Sequence, residues 1–160
     1  MNTADRSIAL MDLALRRRFV FREMLPDSGL LDGIFVGDID IRKMFETINK
    51  RIEYLYDRDH AIGHSFFLLL KKTPTLEALN GIFLNGIIPL LQEYFYDDWE
   101  KIQIVLGDHP DQKGFKNPDD RIIRSEIMDK KSELGFDFDD GMTGKPSYAV
   151  HAPENSRSYV

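Results

Sequence analysis

Three consecutive arginines near the start of the sequence, Arg16 to Arg18, are the residues best suited by type to act on a phosphate. A guanidinium group is planar and permanently charged, and its N–H donors can bridge two phosphate oxygens. The same arginines close a short predicted helix over residues 7–18, where the negative end of the helix dipole favours cations. The motif alone therefore leaves two interpretations open, a phosphate-binding group and a solvated helix end.

Several other classes of chemistry are excluded by what the sequence lacks. It has no cysteine, so disulfides, thiolate zinc sites and cysteine nucleophiles are ruled out. The Walker-type phosphate loop, the dinucleotide fingerprint, the serine nucleophile elbow and the zinc-protease helix motif are all missing from it. The acidic run from Asp137 to Gly141 departs from the calcium-loop pattern, so we predict no metal site. A self-contained phosphate-loop hydrolase is excluded for this chain by itself.

The composition indicates a globular chain with one domain, or one domain and an appendage. It has 160 residues and a formal charge of −6, which does not suggest an autonomous nucleic-acid-binding domain. A basic leader with a long apolar run is missing from the start, and no apolar stretch approaches the ~20 residues that a membrane helix needs. We therefore expect a cytoplasmic protein without a membrane contact.

The elements that must position the candidate groups are mostly helices. Apolar residues at helical spacing predict a helix after Asp40, and a second, buried helix is predicted over 66–72. A third helix begins at a Thr75 cap and is kinked or restarted at Pro89. A last helix contains Trp99 and stops at Gly107. The aromatic residues of this region are predicted to form a packed core rather than a base-stacking platform: Tyr94, Phe95, Tyr96 and Trp99.

The sequence beyond Asp108 is richer in turn-forming residues. A weak helix is predicted over 121–134, and short strands are predicted over 148–151 and 159–160. The 30–37 stretch, before the first strong helix, is interpreted as a linker with some apolar content. The pattern as a whole predicts a strand-and-helix opening, a helical middle and an irregular tail.

Three blocks in consistent order carry a resemblance to a known family. They are MNTADRS with ALRRRF at residues 1–19, IGHSFF at 62–67, and IPLLQEYFYDD at 88–98. Together they resemble the second half of an AAA+ ATPase/GTPase core and its lid, and more closely the McrB-like GTPase subunits of McrBC 5-methylcytosine-specific restriction systems. The resemblance spans residues 1 to about 107.

The resemblance implies a mainly α chain in three parts. Residues 1–25 would be the C-terminal end of an AAA+ α/β core, 26–108 a helical lid, and 109–160 an irregular C-terminal α/β extension. Both Walker motifs precede this region in the family, so the sequence looks like a carboxy-terminal piece of a longer protein. The chain alone is then expected to bind no nucleotide and to be inactive.

The same resemblance implies roles for six residues. Asn2 takes the sensor-1 position, where an amide orients the attacking water or contacts the γ-phosphate, and Arg17 and Arg18 match the arginine-finger region. Asp5 is a candidate for contacting guanine or a neighbouring arginine, although Thr3 stands where a guanine-reading motif has lysine. His64 and Ser65 stand at the lid entrance, where many AAA+ proteins have a sensor-2 arginine.

An ordinary structural role remains open for these residues beside the roles in nucleotide chemistry. Asn2 would then be a turn or cap residue and His64 a structural histidine that holds the lid.

The intact protein would use GTP or ATP with Mg²⁺, assemble as a ring, expected to be a hexamer, and act on DNA with an McrC-like endonuclease. The alternatives are a non-catalytic helical interaction module, suggested by the apolar helical surface between Ile41 and Leu106, and a truncated inactive remnant.

Overall fold

The computed structural model describes residues 25–111, 120–126 and 146–159. Four α-helices form its body: α1 (Ile41–Leu55), α2 (Leu76–Ile82), α3 (Ile88–Phe95) and α4 (Trp99–Leu106). Shorter 3₁₀ segments cover Ser28–Leu31, Arg58–His60, His64–Lys71 and Ser156–Tyr159, and a π-helical turn covers Phe83–Ile87. The strands pair as two antiparallel hairpins: β1 (Phe35–Val36) with β2 (Ile39–Asp40), and β3 (Ile123–Glu126) with β4 (Ser147–Val150).

Helix α1 begins where the sequence predicts it. The Asp40 carboxylate accepts a hydrogen bond from the backbone N–H of Lys43, which satisfies one of the unpaired donors of the first turn. Its predicted apolar stripe is buried: Ile41, Met44, Phe45, Ile48 and Ile52. This stripe packs on α4 and forms the centre of the described core.

The stretch predicted as a linker is a folded part of the body. Gly37 has a positive φ of 58° between β1 and β2, which suits the first position of a two-residue hairpin turn. Leu31 and Val36 are buried against the helices. The 3₁₀ segment Ser28–Leu31 contacts both α1 and the 3₁₀ segment His64–Lys71.

The helix predicted over 66–72 is a 3₁₀ helix, and it is less buried than predicted. A 3₁₀ helix has three residues per turn, so residues i and i+3 share one side. Phe67 and Leu70 stand at this spacing and are buried, whereas Leu68 and Leu69 are exposed. The run of apolar residues therefore overestimates the burial of this helix, because only one narrow stripe of it faces the core.

The kink or fresh start predicted at Pro89 takes the form of a π-helical turn between α2 and α3. Thr75 caps α2 by accepting from the N–H of Ala78, and α3 begins at Ile88 with Pro89 in its first turn. Proline has no N–H for the carbonyl of residue i−4 and crowds it. The helix accommodates this by widening over Phe83–Ile87, where the Ile88 N–H bonds to the Phe83 carbonyl.

Gly86 lies in this π turn where the ring of Phe66 packs against the backbone. A Cβ placed on Gly86 would lie 2.9 Å from Phe66 Cε1. We expect Gly86→Ala to lower the free energy of unfolding by about 1–2 kcal/mol, because the ring must move. Gly81→Ala is the matched control: its nearest neighbour would be Asn85 Nδ2 at 4.0 Å, and it should be neutral or stabilising by up to about 1 kcal/mol. Urea unfolding measures both, and equal effects would contradict this account.

The described part of the C-terminal region differs from the sequence prediction in the type of its elements. The weak helix predicted over 121–134 is wrong for residues 123–126, which form β3 and pair with β4. The strand predicted over 148–151 is confirmed as Ser147–Val150. Tyr159 lies in a 3₁₀ segment instead of a strand.

The predicted aromatic core is confirmed in part. Phe95 is buried and Tyr94 packs beside Tyr56 and His60, but Tyr96 is 82% exposed with a left-handed φ of 51° after α3. Trp99 stacks on Tyr148 of β4, with ring centroids 6.0 Å apart.

Candidate functional site

The lid entrance predicted from His64 and Ser65 is built on a tightly held turn. The side chain of Asn49 in α1 forms two hydrogen bonds with the backbone of Ile62: it accepts from the N–H at 2.7 Å and donates to the carbonyl at 3.1 Å. Gly63 follows, and the 3₁₀ helix starts at His64. The sequence does not reveal this role of Asn49, because a polar side chain on a helix is typical of a solvent-exposed position.

His64 contacts the backbone that leads into the lid. Its Nδ1 accepts a hydrogen bond from the N–H of Asp27 at 3.1 Å, across 37 residues of sequence. The accepting nitrogen carries no proton, so the neutral ring has its proton on Nε2. The next residue, Ser65, is exposed. The imidazole therefore holds the lid entrance together and retains one N–H donor.

Charged side chains of α1 hold the segment around Ser28 and Asp32. Ser28 donates its hydroxyl to Glu46 Oε1 at 2.7 Å, and Arg42 donates to the same oxygen at 3.0 Å. Arg42 also pairs with Asp32. The Ser28 hydroxyl and the Arg42 guanidinium lower the pKa of Glu46, because both hydrogen-bond to its charged form. These contacts bind the 3₁₀ segment Ser28–Leu31 to the lid.

The other predicted site residues are not part of this geometry. Asn2, Asp5, Arg17 and Arg18 lie outside the described residues. The structure places His64 and Ser65 side by side in the first turn of the 3₁₀ helix His64–Lys71, and the roles predicted for all six residues stay predictions.

A second polar cluster joins the lid to the C-terminal hairpin. Asp108 is 1% exposed, and its Oδ2 accepts from the backbone N–H groups of Ile122 and Ile123 at 3.0 and 2.9 Å. Gln103, also buried, donates to the Ile123 carbonyl at 3.1 Å. Arg51 donates to the Val105 carbonyl at 3.0 Å. Burial lowers the pKa of Arg51, and the charge of Asp108 opposes that shift.

A third polar cluster holds the segment that contains Pro153 and Tyr159. Asn80 donates to the carbonyl of Pro153 at 2.8 Å and accepts from the hydroxyl of Tyr159 at 2.6 Å. Burial raises the pKa of Tyr159, so its hydroxyl stays protonated. A cavity of about 320 Å³ lies beside it, with Asp38, Lys43 and Arg51 among its lining residues. The residues after Asp108 are thus anchored on the lid at two separate places.

Neither a metal-ligand cluster nor a membrane-spanning helix occurs in the described ranges. Within residues 25–111, 120–126 and 146–159 no group of three or more histidines, aspartates or glutamates is placed to hold a metal ion. No helix in that part of the chain is long and apolar enough to span a bilayer.

Comparison with known proteins identifies the helical body. Residues 40–103 match the family model "McrB, alpha-helical lid domain". The chain is also similar to the "Type IV methyl-directed restriction enzyme EcoKMcrB subunit" of Escherichia coli (strain K12), at 36% identity over 128 residues. That alignment covers 68% of this chain and 28% of the E. coli protein, so the chain spans well under half of its relative.

The lid match begins at the residue that caps α1 and ends within α4, so it coincides with the helical body. The chain is McrB-like, and its residues 40–103 belong to the McrB alpha-helical lid domain family.

Proposed function

We propose that this chain supplies the lid, the sensor-1 group and trans-acting arginines of an McrB-like AAA+ motor subunit in a modification-dependent DNA restriction system. The observation that carries the proposal is the lid-family match over residues 40–103. The 36% identity to a methyl-directed restriction enzyme subunit supports it, because the aligned region reaches beyond the lid match. We infer a cytoplasmic location from the same relationship.

The proposed roles follow the sequence blocks. Asn2 orients the attacking water or contacts the γ-phosphate, and Arg17 and Arg18 reach the triphosphate of a neighbouring subunit. Asp5 contacts guanine or a neighbouring arginine. His64 and Ser65 face the nucleotide from the lid entrance, where the hydrogen bond to Nδ1 leaves the Nε2 proton available as a donor. The domain limits proposed with these roles are 1–25, 26–108 and 109–160.

The nucleotide would be GTP or ATP with Mg²⁺, and its phosphates would be held by Walker motifs that this sequence does not contain. Such a motor would form a ring, which we propose to be a hexamer. It would act on DNA through the full complex, and its nucleotide cycle would activate an McrC-like endonuclease.

The alternative of a non-catalytic interaction module has less support in this geometry. It depends on an apolar helical surface left uncovered between Ile41 and Leu106. The stripe of α1 is instead buried by the lid itself, as is the inner side of α4. The apolar faces of these two helices are therefore buried within the described part of the chain.

A segment exchange tests the proposed function. The region of the E. coli subunit that aligns with this chain is replaced by residues 1–160, and GTP hydrolysis is measured beside the isolated chain. We expect turnover by the chimera and none by the isolated chain, because only the chimera has a phosphate cradle. A folded chimera that assembles without hydrolysing GTP or ATP would contradict the proposal, and so would turnover by the purified isolated chain.

A further inference from the structure

The segment that enters the lid is bonded to it at three points along its length. Asp27 donates its N–H to His64, Ser28 donates its hydroxyl to Glu46, and Asp32 pairs with Arg42. The three partners come from α1 and from the 3₁₀ helix that starts at His64. Residues 27–32, which we call the lid-entry segment, are therefore held by two different elements of the lid.

Apolar packing and backbone bonds add to these polar contacts. Leu31 is fully buried in the core, and the Leu31 carbonyl accepts from the N–H of Ile34 at 3.3 Å. The Ile34 carbonyl in turn accepts from the N–H of Ile41, the first residue of α1, at 3.1 Å. Backbone hydrogen bonds thus connect the lid-entry segment to the first turn of α1 without a break.

We infer that His64 is a positioning residue whose Nδ1 makes the lid-entry segment a rigid part of the lid. The lid as a rigid body then begins at Asp27, ahead of the family match that starts at residue 40. A motion between the lid and whatever precedes it would then be accommodated before Asp27. The importance of this rigidity for a motor rests on the proposed function, but the contact itself exists independently of GTP hydrolysis.

The chemistry of the contact separates this role from a nucleotide contact. Holding the Asp27 N–H requires an acceptor at the position of Nδ1, whereas a phosphate contact would use the donor at Nε2. Asparagine places its Oδ1 the same number of bonds from Cβ as Nδ1, and glutamine places its amide nitrogen at the distance of Nε2. His64→Asn therefore preserves the positioning function, and His64→Gln preserves the phosphate-donor function.

The test uses the 160-residue chain, labelled with ¹⁵N, and amide hydrogen exchange read by NMR. We expect the Asp27 amide to exchange about tenfold faster in His64→Ala and His64→Gln, since one hydrogen bond is lost. His64→Asn should stay within about threefold of the parent chain. The Ile102 amide, in the buried part of α4, should be unchanged and reports that each variant is folded.

His109→Ala is the matched control. His109 Nδ1 accepts from the backbone N–H of Asp111 at 3.3 Å, so the same kind of bond is removed at another place. In the His109→Ala variant, the Asp27 amide should exchange at the same rate as in the parent chain.

A second readout needs no variant. The ring ¹⁵N chemical shifts of neutral His64 should show the proton on Nε2. A proton on Nδ1, an Asp27 amide without protection in the parent chain, or protection restored by glutamine and not by asparagine would overturn the inference. Because no nucleotide is involved, an inactive chimera would leave these results standing, and a failed His64 test would leave the chimera result standing.

Discussion

Replacing Arg17 and Arg18 together by alanine in the chimeric subunit is expected to lower GTP hydrolysis by about 10³- to 10⁵-fold. Phosphoryl transfer depends on positioning and on neutralising charge that spreads over the phosphate oxygens. A guanidinium supplied by a neighbouring subunit can bridge two of these oxygens, and no water molecule provides an equivalent fixed charge. The measurement is steady-state turnover at saturating GTP, with ring assembly checked by light scattering.

Single variants assign the effect within the arginine triplet. Arg17→Lys and Arg18→Lys keep the charge and lose the planar fork, so the arginine that contacts phosphate should remain impaired as lysine. Arg16→Ala is the matched control, since we assign no phosphate contact to Arg16. Turnover reduced less than tenfold by the double variant, in an assembled ring, would contradict the finger role.

Replacing Asp108 by alanine is expected to lower the free energy of unfolding by about 3 kcal/mol. The carboxylate is buried, and it accepts from two backbone N–H groups at the start of the C-terminal hairpin. Alanine would leave both donors without this acceptor and remove a negative charge that opposes the cost of burying Arg51. Urea unfolding followed by circular dichroism measures the loss.

Two further variants give this prediction its controls. Asp108→Asn keeps one oxygen as acceptor, loses the charge and replaces the other oxygen by an NH₂ group, so we expect a smaller loss than for alanine, about 1 kcal/mol. Asp111→Ala removes an exposed carboxylate from the same loop and should be within about 0.5 kcal/mol of the parent chain. Equal stabilities for Asp108→Ala and Asp111→Ala would show that Asp108 does not anchor the hairpin.

The helical body was predictable because its signals are local. The stripe of α1 repeats within one helix, its Asp40 cap lies three residues from the N–H it accepts from, and Gly107 ends α4 with a left-handed φ of 79°. Pro89 is also a local signal, because proline has no backbone N–H and is tolerated in the first turn of a helix. The sequence predicts a kink or a fresh start at Pro89 but not that it takes the form of a π turn, nor that Phe66, twenty residues earlier, packs against Gly86 within it.

The C-terminal region and the lid entrance depend on partners that a local pattern does not reveal. Residue 123 pairs with residue 150, and the acceptor for its N–H is Asp108. The same residues in isolation are compatible with a helix, which is why β3 was mispredicted. His64 was singled out as a candidate site residue, but its bond to Asp27 spans 37 residues and is visible only in the fold.

A mixing experiment tests the central claim that Arg17 and Arg18 act across a subunit boundary. One chimeric subunit carries Arg17→Ala and Arg18→Ala with an intact phosphate cradle. The other keeps both arginines and has its Walker lysine replaced by alanine. We expect each to be inactive when alone and the mixture to regain GTP hydrolysis, because the second subunit supplies arginines to the cradle of the first. A mixed ring that stays as inactive as its separate components would contradict the account.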